Sequence, residues 1–271
     1  MSTSHFSLLS KRKDPATLPF KHYYKNWFHA LKNTLLPILD ESLSTPSSPT
    51  LLSSHVLLIL HHFLSYYDSL DLFATTDINN LPCLLYPSWR NSIERPFLFL
   101  GDLHPYVFTN LVRSFLDKEN SDDDLGTSST ANVVVGRHWK VVMAWKEPSD
   151  DLIVKIEQIE RGLRLMVPAL MDRVRNAQAG VVRRLAEDWL NFNGDKGRIK
   201  IDEAVKVEME ELVSVFVDVN RLRKDVISEI VGALNVYQGA LFLDGLAQFL
   251  VGFKDLHLLR EIEGSKTPIL D

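Results

Sequence analysis

Apolar residues recur every three or four positions along most of the chain, which is the spacing of one face of an α-helix. The first such stripe consists of Phe20, Tyr24, Trp27, Leu31, Leu35 and Ile38. We expect Pro37 to kink or end this helix because proline has no backbone N–H to donate. Residues 42–50, rich in serine, proline and threonine, are predicted to form a linker, and residues 55–67 the next helix.

Longer stripes follow in the C-terminal half of the chain. One covers residues 152–189, and Pro168 within it is expected to bend or restart the helix. Asp202 is predicted to cap the following helix, which continues to Ile230, because a short acidic side chain accepts bonds from the first free N–H groups. The last helix is predicted over residues 235–262. Since no segment shows a convincing strand alternation, the pattern predicts an all-α protein built as a multi-helix bundle.

A polar, acidic segment divides the helical pattern into two parts. Residues 117–131 are rich in Asp, Ser and Thr and contain too few apolar side chains to order themselves, so we predict a mobile acidic loop. Residues 20–116 are predicted to form the N-terminal helical part, and residues 132–263 the C-terminal helical bundle. Residues 1–19 are predicted to be a flexible N-terminal tail, and residues 264–271 a C-terminal tail.

The composition is that of an ordinary globular protein, since 45% of the 271 residues are hydrophobic and 24% are charged. The formal net charge of −5 provides no global field for nucleic acid. The single cysteine, Cys83, forms no internal disulfide, which suits a reducing compartment. Residues 42–67 lack charged side chains but contain several His and Ser, so we expect a buried core helix there rather than a membrane span.

Motifs that carry chemistry are missing from the sequence. There is no nucleophile elbow, dinucleotide fingerprint or phosphate loop. Two histidine pairs lie seven residues apart: His22 with His29, and His55 with His62. That spacing is about 10 Å along a helix, too far to share a zinc ion. Two carboxylate pairs lie on polar helix faces: Glu157 with Glu160, and Glu208 with Glu211. We therefore expect no enzyme, no metal and no cofactor.

Residues 89–108, WRNSIERPFLFLGDLHPYVF, concentrate the most unusual side chains of the chain. Asn91 followed by Glu94 is typical of a capping box, in which a short polar side chain and an acid three residues later bond to each other's backbone. Arg90 is placed to pair with Glu94 if the helix extends that far back. Residues 97–100 are predicted to form a buried apolar block.

The second half of this stretch is typical of a turn between helices. Gly101 is predicted to end a helix in the left-handed conformation, and Pro105 to occupy the first position of the next one. The stripe of that next helix is Phe108, Leu111, Val112 and Phe115. The stretch is therefore predicted to be a helix–turn–helix corner, in which a substitution of Trp89 or Gly101 damages folding before any specific activity.

The same stretch contains a recognisable order of residues. The motif positions are Trp89, Arg90, Glu94, Arg95, Gly101, Pro105 and Phe108. Together with the aromatic start at residues 20–27, a Leu-Arg step at Arg223 and a Gln-Ala helix at Gln238, they resemble the plant delay-of-germination, or seed dormancy control, domain family. That domain also forms the C-terminal part of TGA-type bZIP transcription factors. The resemblance covers roughly residues 20–258.

The corner departs from the family pattern. The family usually has Gly-Gly-Trp-Arg-Pro where this chain has residues 101–105, GDLHP, so a surface that uses that Trp or Arg is not expected here. No basic region or leucine zipper precedes the domain. The diverged corner, the acidic loop and the missing zipper are most similar to the INAPERTURATE POLLEN branch of the family.

The resemblance implies a function in pollen development. Proteins of that branch are aperture factors, which help to specify the plasma-membrane domains where exine is not deposited, and the implied role is that of a scaffold. The alternative is a transcriptional co-regulator related to the TGA-type factors, without its own DNA-binding region. A third hypothesis is a small-molecule sensor with a pocket between the helical parts. His104, His138 or His257 would then act as ligands or gates.

Partners and location follow from the same resemblance. With no predicted span and no lipidation motif, we expect a cytoplasmic protein that is recruited to plasma-membrane domains in developing pollen. We expect its membrane association to be peripheral and indirect, through other proteins, and we expect self-association into a homo-oligomer. Direct binding of nucleic acid is not expected, and nuclear localisation belongs to the alternative hypothesis.

Overall fold

A computed structural model of the chain describes residues 17–44, 48–116, 144–146, 148–190 and 201–264, and the fold is all-α as predicted. The helices before residue 117 are α1 (Thr17–Ala30), α2 (Leu36–Ser44), α3 (Pro49–Thr76), α4 (Leu81–Leu85) and α5 (Tyr106–Leu116). The described helices after residue 143 include α6 (Asp150–Leu190), α7 (Ile201–Ala233), α8 (Val236–Gly252) and α9 (Leu256–Gly264). Shorter elements are a π-helical turn (Leu31–Leu35), two 3₁₀ turns (Ile78–Asn80 and Arg95–Phe97), and strands β1 (Leu98–Phe99) and β2 (Asp102–Leu103).

The first helical run does not end at Pro37. Helix α1 leads into a π-helical turn and then into α2, with the N–H of Leu36 bonded to the carbonyl of Leu31, five residues earlier. This wider turn ends two residues before the proline, whose missing N–H interrupts the normal bonding pattern. The predicted linker is also shorter than residues 42–50, because α2 continues to Ser44 and α3 begins at Pro49.

Each of the two long C-terminal helices differs from the sequence prediction at one position. Helix α6 is a single helix of 41 residues with Pro168 inside it, so the predicted restart there is wrong. Its buried stripe continues on both sides of the proline, at Val167 and Leu170, and this packing outweighs the local cost. Asp202 lies inside α7, which begins at Ile201, and is therefore not a cap.

The last predicted helix, residues 235–262, is divided into α8 and α9. Asn235 caps α8: its side chain accepts from the N–H of Gln238 at 2.9 Å, and the Gln238 side chain accepts from the N–H of Asn235 at 3.1 Å. This reciprocal pair is a capping box, and it fixes the place where the chain turns from α7 into α8.

One large hydrophobic core includes both helical parts of the chain. Its buried members include Trp27 of α1, Phe63 of α3, Phe108 of α5, Ile156 of α6 and Phe242 of α8. Helices α6 and α7 run antiparallel, since Lys155 pairs with Glu229 and Arg184 with Glu208. The predicted acidic loop at residues 117–131 lies outside the described residues, as do the greater part of residues 1–19 and residues 265–271.

Helix α3 contains most of the uncharged run at residues 42–67, and one side of it is buried at Val56, Ile59 and Phe63. Within the described ranges, no helix combines the length and the apolar character needed to cross a membrane.

The unbroken course of α6 through Pro168 leads to a stability prediction. Because Pro168 is exposed and lies inside the helix, Pro168→Ala restores a backbone bond without touching the core. We expect the free energy of unfolding to rise by about 1–3 kcal/mol, measured by urea denaturation. The neighbouring change Ala169→Gly, also exposed and helical, should lower it by about 0.5–1 kcal/mol. A destabilised Pro168→Ala variant would contradict the prediction.

Candidate functional site: the corner at residues 89–108 and its buried ions

The corner is a tight β-hairpin rather than a turn between two helices. Strands β1 and β2 pair antiparallel, with Leu98 opposite Leu103 and Phe99 opposite Asp102. The two loop residues, Leu100 and Gly101, have φ angles of 45° and 89°, and positive φ at both central positions is what a type I′ turn requires. A 3₁₀ turn, Arg95–Phe97, precedes the hairpin. The predicted helix–turn–helix is therefore wrong.

Gly101 has the left-handed conformation that the sequence predicts, but within the hairpin. A Cβ atom at this position would lie 2.2 Å from the backbone oxygen of Leu84 and 3.3 Å from the ring of Phe216. Both the backbone angle and the lack of space therefore require glycine. This close approach seats the hairpin against the end of α4 and the middle of α7.

Asn91 and Glu94 form the bonds of a capping box, although only a 3₁₀ turn follows. The Asn91 side chain accepts from the N–H groups of Ile93 and Glu94 at 3.0 and 3.1 Å. The carboxylate of Glu94 accepts from the N–H of Asn91 at 2.8 Å. The Asn91 amide also donates to the carbonyl of Phe253 at 2.7 Å, which ties the corner to the end of α8.

Arg90 lies between two buried carboxylates. It donates to Glu94 at 2.8 Å and to Asp102 at 2.6 Å, and these three residues are 4%, 0% and 2% exposed. The Tyr66 hydroxyl donates to Asp102 at 2.7 Å, and the guanidinium lies 5.0 Å from the centre of the Tyr24 ring. Arg90 and Glu94 thus pair, although the helix on which the predicted pairing depended is absent. Removing one partner of such a buried set leaves an uncompensated charge.

A second cation reaches the cluster from the C-terminal side. Lys254 donates to Glu94 at 2.5 Å and to the carbonyl of Trp89 at 3.1 Å. Burial lowers the pKa of Lys254, and its bond to Glu94 opposes that shift. For Asp102, burial alone would raise the pKa, but the positive charges of Arg90 and Arg223 hold it below its usual value. The cluster therefore keeps Asp102 ionised.

Arg223 of α7 holds the hairpin through its backbone. This side chain is 0% exposed. It donates to the carbonyl of Leu103 at 2.8 Å, to that of Asp102 at 3.1 Å, and to that of Phe99. It also donates to the Asn220 side chain at 2.5 Å. A guanidinium has donors in a fixed planar fork, so a single residue reaches three carbonyls of the hairpin.

Comparison with known proteins places this corner in a family. Residues 35–114, which include the whole corner, match the family model for seed dormancy control. The chain is 50% identical over 269 residues to Protein INAPERTURATE POLLEN1 of Arabidopsis thaliana, covering 95% of this chain and 97% of that protein. This chain belongs to the INAPERTURATE POLLEN family. It is also 29% identical over 256 residues to Protein INAPERTURATE POLLEN 1 homolog of Oryza sativa subsp. japonica, covering 92% and 90% of the two chains.

Most of the motif residues that the sequence points to lie in the interior. Trp89 packs with its ring centre 5.2 Å from that of Phe20. Pro105 is buried directly before α5, and Phe108 is 0% exposed within it. Gln238 lies apart from the corner, in the first turn of α8. It takes part in the capping box there and donates to the carbonyl of Ala144 at 3.0 Å. Among the motif residues of the corner, only Arg95 has an exposed side chain.

Three members of the ion cluster were missed by sequence reasoning: Asp102, Tyr66 and Lys254. Asp102 stands where this chain differs from the pattern of the wider seed dormancy control family, so the family motif does not include it. One signal points to it, because Glu94 and Asp102 are the only acids in residues 89–108. A buried arginine in that stretch requires acidic partners from nearby. Tyr66 and Lys254 come from distant elements, and no local pattern indicates them.

The histidines of the sensor hypothesis are not brought together by the described structure. His104 is half-buried and stacks on Tyr106 with ring centres 5.0 Å apart, whereas His257 is exposed on α9, and His138 lies outside the described residues. The described clefts include one of about 410 Å³ beside Lys155 and one of about 260 Å³ beside Arg173, and neither is lined by these histidines. No group of three potential metal ligands occurs in the part of the chain that the structure describes.

The hairpin geometry yields a prediction at Gly101. Gly101→Ala forces a Cβ into the backbone of α4 and strains the left-handed φ angle, so we expect a loss of at least about 2 kcal/mol in the free energy of unfolding. The matched change Gly162→Ala lies in α6, where an added Cβ meets no atom within 4 Å. It should be neutral or stabilising by up to about 1 kcal/mol. Equal effects of the two changes in urea denaturation would refute the geometric argument.

The depressed pKa of Asp102 yields a prediction about pH. Because its folded-state pKa is lowered, its contribution to stability is present above pH ~4, the ordinary aspartate value, and is lost as the pH falls through the folded-state pKa. Asp102→Asn should therefore cost about 3–5 kcal/mol at pH 7, and the difference from the wild type should shrink in acid. Unfolding curves from pH 7 to pH 2 measure this difference.

A control for that experiment is Asp172, an exposed aspartate of α6. Asp172 is paired with Arg175 at 2.7 Å, with side chains 59% and 74% exposed, and Asp172→Asn should change stability by less than about 0.5 kcal/mol. A difference between wild type and Asp102→Asn that stays constant down to pH 2 would show that the ionised form of Asp102 is not what stabilises the corner.

Proposed function

We propose that this chain is a non-catalytic factor in pollen aperture formation, which acts as a scaffold at plasma-membrane domains where exine is not deposited. The observation that carries the proposal is the 50% identity to INAPERTURATE POLLEN1 over 95% of the chain. The identity extends well beyond the residues 35–114 of the seed dormancy control match. It therefore includes the helices that surround the corner as well as the corner itself.

The architecture of the corner supports a role without catalysis. Its ionised groups are paired with one another: Arg90 with Glu94 and Asp102, and Lys254 with Glu94. Each is held at hydrogen-bond distance and is wholly or largely buried. A catalytic group must instead reach a substrate. The cluster is better suited to holding a rigid surface in place than to reacting.

The surface beside the corner is suited to contact with another protein. Arg95 projects from the corner into solvent, whereas Arg90 is paired inside. Tyr86 is 83% exposed just before the corner, and Phe97 is 38% exposed within it. Tyrosine and arginine are enriched among the residues that dominate binding energy at interfaces. We therefore propose other proteins at the plasma membrane as partners, a second copy of this chain among them.

The test of the proposed function is a fluorescent fusion imaged in developing microspores of a loss-of-function line. We expect signal in discrete patches at the cell periphery, pollen without openings in the mutant, and restored openings when the fusion is expressed. Nuclear signal together with normal openings in the mutant would contradict the proposal. That outcome would favour the transcriptional co-regulator instead.

The partner surface has its own test in the same line. Arg95→Glu reverses an exposed charge without touching the buried ions, so the melting temperature should stay within about 3 °C of the wild type, while openings are not restored. Arg260→Glu on α9 makes the same change at another exposed position and should restore them. Full restoration by Arg95→Glu would place the partner surface elsewhere.

A further inference from the structure

The outward side of α6 carries arginines and large apolar side chains together. Its exposed arginines are Arg161, Arg164, Arg175 and Arg183. Its exposed large apolar residues are Leu165, Met171, Val182, Trp189 and Leu190. At 3.6 residues per turn these nine positions fall within about a third of the helix circumference. We call this surface the outer face of α6.

The outer face is separate from the side of α6 that builds the core. The core side is formed by Leu163, Val167, Leu170 and Val174, which are 1–8% exposed. On the outer face, by contrast, Leu165, Val182 and Trp189 are 71%, 66% and 69% exposed. Isolated exposed apolar residues are common on proteins, but a set that shares one face marks an interaction surface.

The charge of the outer face is opposite to that of the whole protein. The chain carries a formal net charge of −5, yet from Arg161 to Leu190 this face has four arginines and one acid, Asp172, which pairs with Arg175 at 2.7 Å. Helical spacing places Glu157 on the same side one turn before Arg161. Glu187, at the edge of the face, lies 3.9 Å from Arg183. A local excess of positive charge on an acidic protein selects an anionic partner.

We propose that the outer face of α6 binds directly to a membrane surface of anionic phospholipid. Arginine with tryptophan and leucine on one helix face is the combination of helices that lie in the membrane interface, where the cations meet phosphate groups and the apolar side chains enter the headgroup region. The face is the convex side of one helix, and a flat bilayer needs no groove to receive it. A second copy is disfavoured because the four arginines of one chain would meet those of the other.

This inference deepens the proposed function and rests on it for its biological setting. It goes beyond the indirect recruitment expected from the sequence, because it gives the chain its own contact with the membrane. Protein partners at the corner and lipid at the outer face are then separate surfaces of one scaffold.

The experiment uses the purified full-length chain and floated vesicles of phosphatidylcholine with or without phosphatidylserine. We expect binding to the phosphatidylserine vesicles only, and we expect it to weaken as salt is added. The triple change Arg164→Gln, Arg175→Gln and Arg183→Gln should weaken it about tenfold or more. A second variant, Val182→Ser with Trp189→Ser, keeps every charge and should also weaken it.

The matched control removes the same number of charges from another exposed helix. Lys21→Gln, Lys25→Gln and Lys32→Gln lie on the N-terminal helical run and should leave vesicle binding unchanged, and circular dichroism should report native helix content for all variants. Equal binding to neutral vesicles, no binding to either kind, or an equal loss in the control each overturns the proposal. If the triple arginine variant fails to restore pollen openings in the loss-of-function line, and the wild-type chain binds no vesicles, the partner is an acidic protein. Failure of vesicle binding leaves the imaging experiment, and the proposed function with it, intact.

Discussion

The guanidinium of Arg90 is a charge with no access to water, and the shape of the corner follows from satisfying it. Its two carboxylate partners lie four and twelve residues later in the chain, so the backbone between them must fold back on itself. The hairpin with its left-handed glycine provides that reversal. Tyr66 donates a further hydrogen bond to Asp102, and Lys254 donates one to Glu94. A buried ion set of this kind adds little net stability, because its pairing mainly offsets the cost of removing the charges from water.

Arg223 links that local arrangement to the long helices. The hairpin offers three backbone carbonyls, and Arg223 of α7 donates to all of them. The same stretch of α7 presses the Phe216 ring against the place where Gly101 has no side chain. The hairpin therefore serves as a spacer of fixed shape between α4 and α7. The exposed rim of the corner, Arg95 included, takes its position from that spacer.

The sequence was a good guide wherever a long apolar stripe had one consistent period. Stripes such as that of residues 152–189 predict helices correctly because burying the stripe outweighs a single unfavourable residue such as Pro168. Element ends were predicted less well, since Asp202 satisfies the local rule for a cap while the helix begins one residue earlier. The hairpin escaped prediction because strands of two residues show no alternation. Within the site, the sequence indicated that Arg90 and Glu94 pair but placed them on a helix that does not form, whereas Tyr66 and Lys254 depend on how distant helices pack.

The bonds between the corner and the end of α8 have a consequence for the order of events during synthesis. Asn91 donates to the carbonyl of Phe253, and Glu94 accepts from Lys254. Both partners lie about 160 residues later in the chain. At ordinary rates of translation, about 5–20 residues per second, that interval is about 8–32 seconds. Throughout it, the nascent chain carries a corner whose last cation has not yet been made. The native packing of the family motif is therefore a late event, because the chain from Asn91 to Lys254 must be synthesised first.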